Sequence, residues 1–269
     1  MTVINTNSAA LRAQNGSRVA NLALQQAMER LSTGKRINSA KDDAAGLAIS
    51  STMTSQIRGM NQAIRNANDG ISFAQTAEGA LGEVTNMLQR IRELAVQSAS
   101  GTYSDDDRAN LQAEVAELGL QIDDIVANTK FNGVTVFDTD DVTVDVQTGA
   151  NSGEVTTLTV TGFDVSAASE SDISDADGAD TALGDVDDAL KAVATTRSSL
   201  GAGQSRLESV VNNLSNQVTN LSDARSRIED ADYSAETTNL ARAQILSQAS
   251  TAMLAQANQS QQDVLSLLR

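Results

Sequence analysis

Several residue types are missing or scarce in this chain of 269 residues, and each absence excludes a kind of chemistry. There is no cysteine, so disulfides, thiolate metal ligands and thiol nucleophiles are excluded. There is no histidine, the commonest general base and metal ligand. Proline is absent and only 2% of the residues are aromatic. The apolar content therefore suits the seams of uninterrupted helices better than a bulky globular core.

The charge and hydropathy patterns exclude further classes. The formal net charge is −16 and no basic stripe is visible, so neither nucleic acid nor an anionic membrane surface is an expected partner. No apolar run reaches 18 residues, and polar residues interrupt the first thirty, so we expect no membrane span and no cleaved signal peptide. No nucleophile–base pair and no metal-ligand or cofactor motif is found. We therefore predict a protein that is not an enzyme and holds no metal or cofactor.

Both ends of the sequence have the periodicity of long amphipathic helices, and the middle does not. From Leu183 to Ile228, steps alternating between three and four residues give fourteen positions, of which eleven are apolar. A repeat of 3.5 residues predicts a left-handed coiled coil, and such a helix would be roughly 70 Å long. The fold class predicted is mainly α: an elongated antiparallel helical bundle or coiled coil with one small β-hairpin region.

The other helices have weaker or shorter stripes. The first runs to about Leu31 with mostly alanine on its stripe, and the second starts near Asp42 and Asp43, whose carboxylates suit a helix N-terminus. A third is predicted after Ser104, which has the residue type of an N-cap. The last helix, to the C-terminus, has small and half-polar residues on its stripe.

In the middle the period changes from 3.5 to 2. Valines alternate with polar residues over 142–146, and apolar residues alternate with threonines over 158–161. Two such runs around a loop rich in Gly, Asn and Ser predict a β-hairpin, and Asn132 with Gly133 predicts a preceding turn. Residues 165–180 are acidic and rich in Ser and Ala, which favours a solvated loop ending at an N-cap on Thr181.

Several segments of the chain form long and distinctive sequence motifs. They include residues 30–46 (RLSTGKRINSAKDDAAG), 66–72 (NANDGIS), 75–81 (QTAEGAL) and 88–97 (LQRIRELAVQ). At the other end they include residues 224–233 (ARSRIEDADY), 256–259 (QANQ) and 265–269 (LSLLR). These segments closely resemble bacterial flagellin. The resemblance covers about residues 1–135 and 183–269, and its motifs are long and specific.

This resemblance implies a structural subunit that polymerises into the flagellar filament and serves swimming motility. Residues 1–43 and 229–269 would form an inner layer of terminal helices, and residues 44–228 an outer helical rod with a hairpin at about 134–165. The chain would be a short form without large outer domains. It would lie outside the cell, exported by the flagellar type III route.

The resemblance and the apolar stripes together give candidate contact residues. Packing between subunits in the inner layer is expected at Leu24, Leu31, Leu246, Met253, Val264 and Leu267. The rod core is expected at Ile57, Ile64, Ile71, Leu81, Leu88, Ile91, Leu118, Ile122, Leu190, Leu207, Leu214 and Leu221. The family also implies a surface for a vertebrate toll-like receptor at Gln89, Arg90, Leu94 and Glu114.

The expected partners are other copies of this chain, possible further flagellins in the same filament, an export chaperone, and the junction and cap proteins. Two alternatives to the filament subunit stay open at this point. One is a hook–filament junction protein, which shares the terminal helices, and the other is a helical signalling or adaptor module. The terminal stripes are rich in Ala and Ser, so we also expect these helices to become fully ordered only when neighbouring subunits bury them.

Overall fold

The structure, a computed structural model, describes residues 6–266, with side chains as far as Gln262. The described residues form six helices and two small antiparallel hairpins, which confirms the mainly α fold class. The helices are α1 (Ser8–Thr33), α2 (Ala44–Ala99), α3 (Asp105–Asn128), α4 (Ser166–Ser169), α5 (Ala176–Glu229) and α6 (Tyr233–Ser266). The strands are β1 (Lys130–Phe131), β2 (Val134–Thr135), β3 (Val142–Gln147) and β4 (Val155–Val160).

The chain divides into two compact units. Unit 1 consists of Met1–Ser55 and Asn220–Arg269, and unit 2 consists of Gln56–Thr219. Unit 1 contains α1, α6, the first turns of α2 and the last turns of α5. Unit 2 contains α3, α4, both hairpins and most of α2 and α5. The predicted limits at residues 43 and 229 concern layers of a filament, and they stay a prediction.

Local signals begin the helices of both units. The Asp43 carboxylate accepts a hydrogen bond from the Gly46 amide at 2.9 Å at the start of α2. The Ser104 side chain accepts from the Asp107 amide, and the Asp107 carboxylate accepts from the Ser104 amide, so α3 begins with a complete capping box. Each pair satisfies amides that have no partner within the helix.

The core of unit 2 lies between α2, α3, α5 and the β3–β4 hairpin. Leu81, Leu88 and Leu200 are completely buried there, together with Leu158 from β4. β3 and β4 pair in register from Val142 opposite Val160 to Gln147 opposite Val155. Because alternate residues of a strand face the same side, Leu158 and Val160 both pack on the helices.

The middle of the chain contains the predicted turn, but two other predictions about it were wrong. The turn at Asn132 and Gly133, which both have positive φ as a type I′ turn requires, joins the strands of a further small hairpin, β1–β2. Residues 165–180 do not form a solvated loop, because Val165 and Ile173 are buried with the core. Thr181 is not an N-cap: α5 already begins at Ala176, and the Thr181 hydroxyl donates to the Asp177 carbonyl inside the helix.

Candidate assembly surface

The α1–α6 pair in unit 1 has small side chains on its inner seam. In the described part of this pair, the buried apolar residues are Ala20, Ala27 and Ala243, with Ala257 at the edge of burial. Asn7 joins the two helices at one end, because its side chain accepts from the Ala10 amide at 2.9 Å and donates to the Ala257 carbonyl at 3.0 Å. Burial of alanine methyl groups stabilises little, since a buried CH₂-sized group contributes about 0.8 kcal/mol.

The larger apolar side chains of the same pair lie on its surface. Leu22 is 59% exposed, Ile245 66% and Met253 63%. Leu11, Val19, Met28 and Leu246 are exposed as well. Leu11, Leu22 and Leu254 line a shallow hollow of about 640 Å³ on this pair. A helical hairpin that is stable alone buries its large apolar side chains, and this pair instead exposes them. An exposed apolar surface of this kind is typical of a protein–protein contact site.

The residues predicted for packing between subunits fall into three groups. Leu246 and Met253 are exposed and available to a neighbour, whereas Leu24 and Leu31 are half-buried within the pair. The Val264 side chain and Leu267 lie outside the described residues. Sequence reasoning missed Leu11 and Leu22, which are eleven residues or about three helical turns apart and therefore share a second face. That spacing is visible in the sequence once the alanine stripe is assigned to the seam.

A polar cluster around Glu229 joins distant segments of unit 1. The Lys35 ammonium pairs with the Glu229 carboxylate, and the Ser50 hydroxyl donates to the same carboxylate at 2.5 Å. Backbone bonds run beside it: the Arg36 amide donates to the Glu229 carbonyl at 2.7 Å, and the Ala231 amide donates to the Gly34 carbonyl at 2.9 Å. The hydrogen bonds from Lys35 and Ser50 hold the pKa of Glu229 below its usual value.

The residues predicted for the rod core are mostly buried. Leu81, Leu88, Ile91, Ile122 and Leu207 are fully buried, and Ile57 and Leu214 nearly so. Ile64, Ile71, Leu118, Leu190 and Leu221 are half-buried. Leu118 and Leu190 pack against the main core of unit 2, and Ile71 packs against a smaller cluster of Ala67, Val146 and Leu207.

The four residues assigned to the receptor surface do not share one environment. Gln89, Arg90 and Glu114 are exposed, and the Arg90 guanidinium bonds Glu114 at 2.8 Å and Glu93 at 3.1 Å. Leu94 is only 1% exposed and belongs to the core of unit 2. Its assignment to an accessible surface was wrong, because Leu94 packs against other elements in the core. Within the described residues, no cluster of acidic side chains could hold a metal ion and no helix could cross a membrane.

These features define a class of protein: a mainly α-helical protein whose terminal helix pair has large apolar side chains on its surface. Comparison of the sequence with known protein families identifies its family. A model of the bacterial flagellin N-terminal helical region matches residues 4–141, and one of the bacterial flagellin C-terminal helical region matches residues 183–268. The chain belongs to the bacterial flagellin family. It is a structural subunit that polymerises into the extracellular flagellar filament, and it serves motility.

Similar proteins match along the whole chain. A flagellin of Halalkalibacterium halodurans is 49% identical over 271 aligned positions, which cover 99% of this chain and 100% of that protein. A flagellar filament 33 kDa core protein of Treponema phagedenis is 45% identical, with 99% and 100% covered. Among solved structures, a Bacillus cereus flagellin is 29% identical with a TM-score of 0.49, and the match covers 60% of this chain and 94% of that one.

Proposed function

We propose that the exposed apolar face of the α1–α6 pair is the main contact surface of the inner filament layer, formed by residues 1–43 and 229–269. The observation that supports it is the reversed burial: alanines lie in the seam, while Leu22, Ile245 and Met253 are exposed. Burial of one such side chain contributes about 1.5–3 kcal/mol. Several neighbours together can therefore supply the stabilisation that the pair lacks alone. Residues 44–228 form the outer rod around this layer.

Seeded polymerisation tests the contact surface. In the double variant Leu22→Ser with Ile245→Ser, we expect the critical concentration for growth to rise at least tenfold, because two apolar contacts are lost in every subunit. The melting temperature of unit 2 should stay unchanged. Val155→Ser is the control, since Val155 is 45% exposed but lies on β4. Growth of the double variant at the rate of the unaltered protein would contradict the proposal.

The same pair becomes fully ordered only in the filament. Ordering a residue costs about 1–2 kcal/mol, and the alanine seam returns little of that free energy. Circular dichroism tests this: the helix content should rise when purified monomer is converted to filament. Equal helix content in monomer and filament would show that the pair does not become more ordered on polymerisation. The serine variants would still test the contact surface itself.

The chain leaves the cell through the flagellar type III channel without cleavage of a signal peptide. It meets an export chaperone in the cell and the junction and cap proteins at the filament, and other flagellins can share that filament. It acts as a structural protein and not as an enzyme, without cofactor, nucleic acid or membrane as partner. Mass spectrometry of filament protein tests the export route: removal of about the first 20–30 residues would indicate a cleaved signal and contradict it.

The toll-like receptor surface is retained as a proposal in a reduced form. Gln89, Arg90 and Glu114 supply the accessible groups, and Leu94 acts by keeping α2 in place. In a receptor reporter assay, Arg90→Ala should lower the response to monomer while leaving the melting temperature unchanged. Arg92→Ala is the matched control, because Arg92 pairs with Asp187 at 2.7 Å in a similarly exposed setting. An equal response to both variants would remove Arg90 from the surface.

The alternatives from the sequence are less well supported. The relatives that match over their whole length have the names of flagellins and filament core proteins, which favours a filament subunit over a junction protein. An adaptor module predicts a stable soluble dimer that does not elongate when filament fragments are added. Light scattering after seeding separates that outcome from growth.

A further inference from the structure

Unit 2 carries a large excess of negative charge, and this restricts where two copies can touch. Residues 56–219 contain twenty-six Asp and Glu and nine Lys and Arg, which gives a formal charge of −17. Copies of such a unit repel each other unless their contact joins regions of opposite local charge. Two stretches of unit 2 differ from the rest in a way that meets this condition.

One stretch lies on α2 and the other on α5. Residues 66–89 contain three acidic residues and no basic one, whereas residues 189–207 contain three basic residues and no acidic one. One residue from each stretch pairs within the chain, with Arg197 and Glu78 at 3.8 Å. The other charges are Asp69 and Glu83 on α2, and Lys191 and Arg206 on α5.

These four charged side chains are exposed. In the described part of the chain, none of them has an ion pair or a side-chain hydrogen bond. They therefore present two free carboxylates on one helix and two free cations on another. An internal role in the fold does not account for either pair.

The spacing of the two pairs matches. Asp69 and Glu83 are fourteen residues apart, or about 21 Å along a helix, and Lys191 and Arg206 are fifteen residues apart, or about 22 Å. Each residue turns the helix by about 100°, so the two residues of each pair lie within one 60° sector of their helix. Two such helices laid side by side in opposite directions can join both pairs at once, Asp69 with Arg206 and Glu83 with Lys191.

The surface between the charges allows a close approach. The exposed α2 residues between the carboxylates on that side are Ser72, Thr76 and Gly79, and a Cβ atom added at Gly79 would meet nothing within 4 Å. On α5 the exposed residues between the cations include Ser198 and Ala202. These exposed residues between the charges have short side chains or none, so they do not hold two facing helices apart.

We propose that the Asp69–Glu83 face of α2 in one copy docks on the Lys191–Arg206 face of α5 in the next copy. The two faces differ, so the contact is heterologous and leaves a free face at each end of a pair, as an open polymer requires. Exposed ion pairs contribute little free energy each, so their main effect is to set the register between copies and the rate of addition. The inference rests on polymerisation, and it is independent of the inner-layer contacts because all four residues belong to unit 2.

Reversing the charges on each face tests the docking, because each variant alone should elongate slowly and a mixture of the two variants should not. Variant A is Asp69→Lys with Glu83→Lys, and variant B is Lys191→Glu with Arg206→Glu. Alone, each variant brings like charges together at every contact, so seeded elongation in low salt should slow about tenfold or more. In an equimolar mixture every α2 face of A meets an oppositely charged α5 face of B, and the reverse also holds. The mixture should therefore elongate within about threefold of the unaltered protein.

Net charge cannot produce this pattern. Variant A reduces the net negative charge of unit 2, from −17 to −13, and this change by itself favours association. A matched control, Asp124→Lys with Asp140→Lys, has the same change in charge at two exposed acids outside both faces. This control should elongate at least as fast as the unaltered protein. About 0.5 M salt should reduce the difference between variant A and the control, since screening weakens exposed pairs.

The outcomes separate the inference from the filament function. Normal elongation of A and B alone, or slow elongation that the mixture does not restore, would overturn the docking of α2 on α5. Failure of the unaltered protein to elongate from its own fragments would instead contradict polymerisation. If a reversal variant melts below the unaltered monomer, the neutral forms Asp69→Asn with Glu83→Gln and Lys191→Gln with Arg206→Gln replace it. They should each slow elongation about threefold, and no slowing would again overturn the inference.

Discussion

The Glu229 carboxylate accepts a hydrogen bond from the Ser50 hydroxyl at 2.5 Å, although 179 residues separate them in the chain. Together with the Lys35 ammonium on the same carboxylate, this bond ties the segment after α1, the first turns of α2 and the end of α5 to one point. A single acidic side chain therefore fixes three parts of unit 1. Its protonation state has consequences for the stability of that unit.

The first prediction concerns this carboxylate and pH. The pKa of Glu229 is lowered mainly by the Lys35 hydrogen bond and then by that of Ser50. A lowered pKa in the folded state means that the stabilisation is present above the ordinary glutamate value of about 4.3 and is lost as pH falls through the folded-state pKa. Glu229→Gln should therefore lower the free energy of unfolding by about 1 kcal/mol at pH 7, and the difference from the unaltered protein should shrink in acid.

Thermal unfolding between pH 7 and pH 3 measures this effect. Glu29→Gln is the control in the same unit, because Glu29 is exposed and its carboxylate has no partner in the described part of the chain. Equal pH profiles for Glu229→Gln and Glu29→Gln would show that the Lys35 and Ser50 contacts do not stabilise unit 1.

A second prediction concerns the start of α3. Ser104 and Asp107 form a reciprocal capping box, and hydrogen bonds from the Ser104 hydroxyl and amide lower the pKa of Asp107. Ser104→Ala removes a partner of the Asp107 amide and should cost about 1 kcal/mol of stability. Chemical denaturation with the α3 amides followed by hydrogen exchange measures it. Ser100→Ala is the control, and an equal loss in both variants would contradict a specific role for the cap.

A third prediction uses two glycines in long helices. At Gly119 in α3 a Cβ atom would collide with the carbonyl oxygen of Ser169, whereas at Gly82 in α2 it would meet nothing within 4 Å. Gly119→Ala should destabilise unit 2 by about 1–3 kcal/mol because α4 must move. Gly82→Ala should instead stabilise it by about 0.5–1 kcal/mol by restricting the unfolded chain. Melting temperatures that shift in the same direction for both variants would contradict this packing.

Much of this architecture could be predicted because its signals are local. The Ser104 cap, the alternating strands and the stripe of α5 each depend on residues within a few turns of one another, and the structure contains all three. The segment 165–180 was misread because its acidic and small residues far outnumber its two large buried apolar residues, Val165 and Ile173. Only the packing of Val165 and Ile173 on the helices shows that it is part of the core.

Contacts between distant segments could not be predicted. Arg108 lies in the charged first turn of α3, where a solvated side chain is expected, yet it is only 6% exposed. Its guanidinium bonds the Ser98 carbonyl and donates to the Ser100 carbonyl at 3.1 Å, at the end of α2. A cation is favourable at the negative end of a helix, but the sequence does not reveal which helix end will be near. Leu94 was misplaced for the same reason: its partners come from other elements of the core.

The last prediction concerns salt and the distribution of charge. Residues 131–190 contain fourteen Asp and Glu and no Lys or Arg, so neighbouring copies in a filament bring many carboxylates close together. At about 20 mM salt the screening length is roughly 20 Å, and at 0.2 M it is about 7 Å. The critical concentration for polymerisation should therefore fall several-fold over this range.

The double variant Asp140→Asn with Asp188→Asn should lower the critical concentration at low salt and have little effect at high salt. The control Glu29→Gln with Asp223→Asn removes the same charge from unit 1, whose acidic and basic residues nearly balance, and it should change the critical concentration much less. A critical concentration that is independent of salt would show that the acidic residues of unit 2 lie too far from their neighbours to repel them.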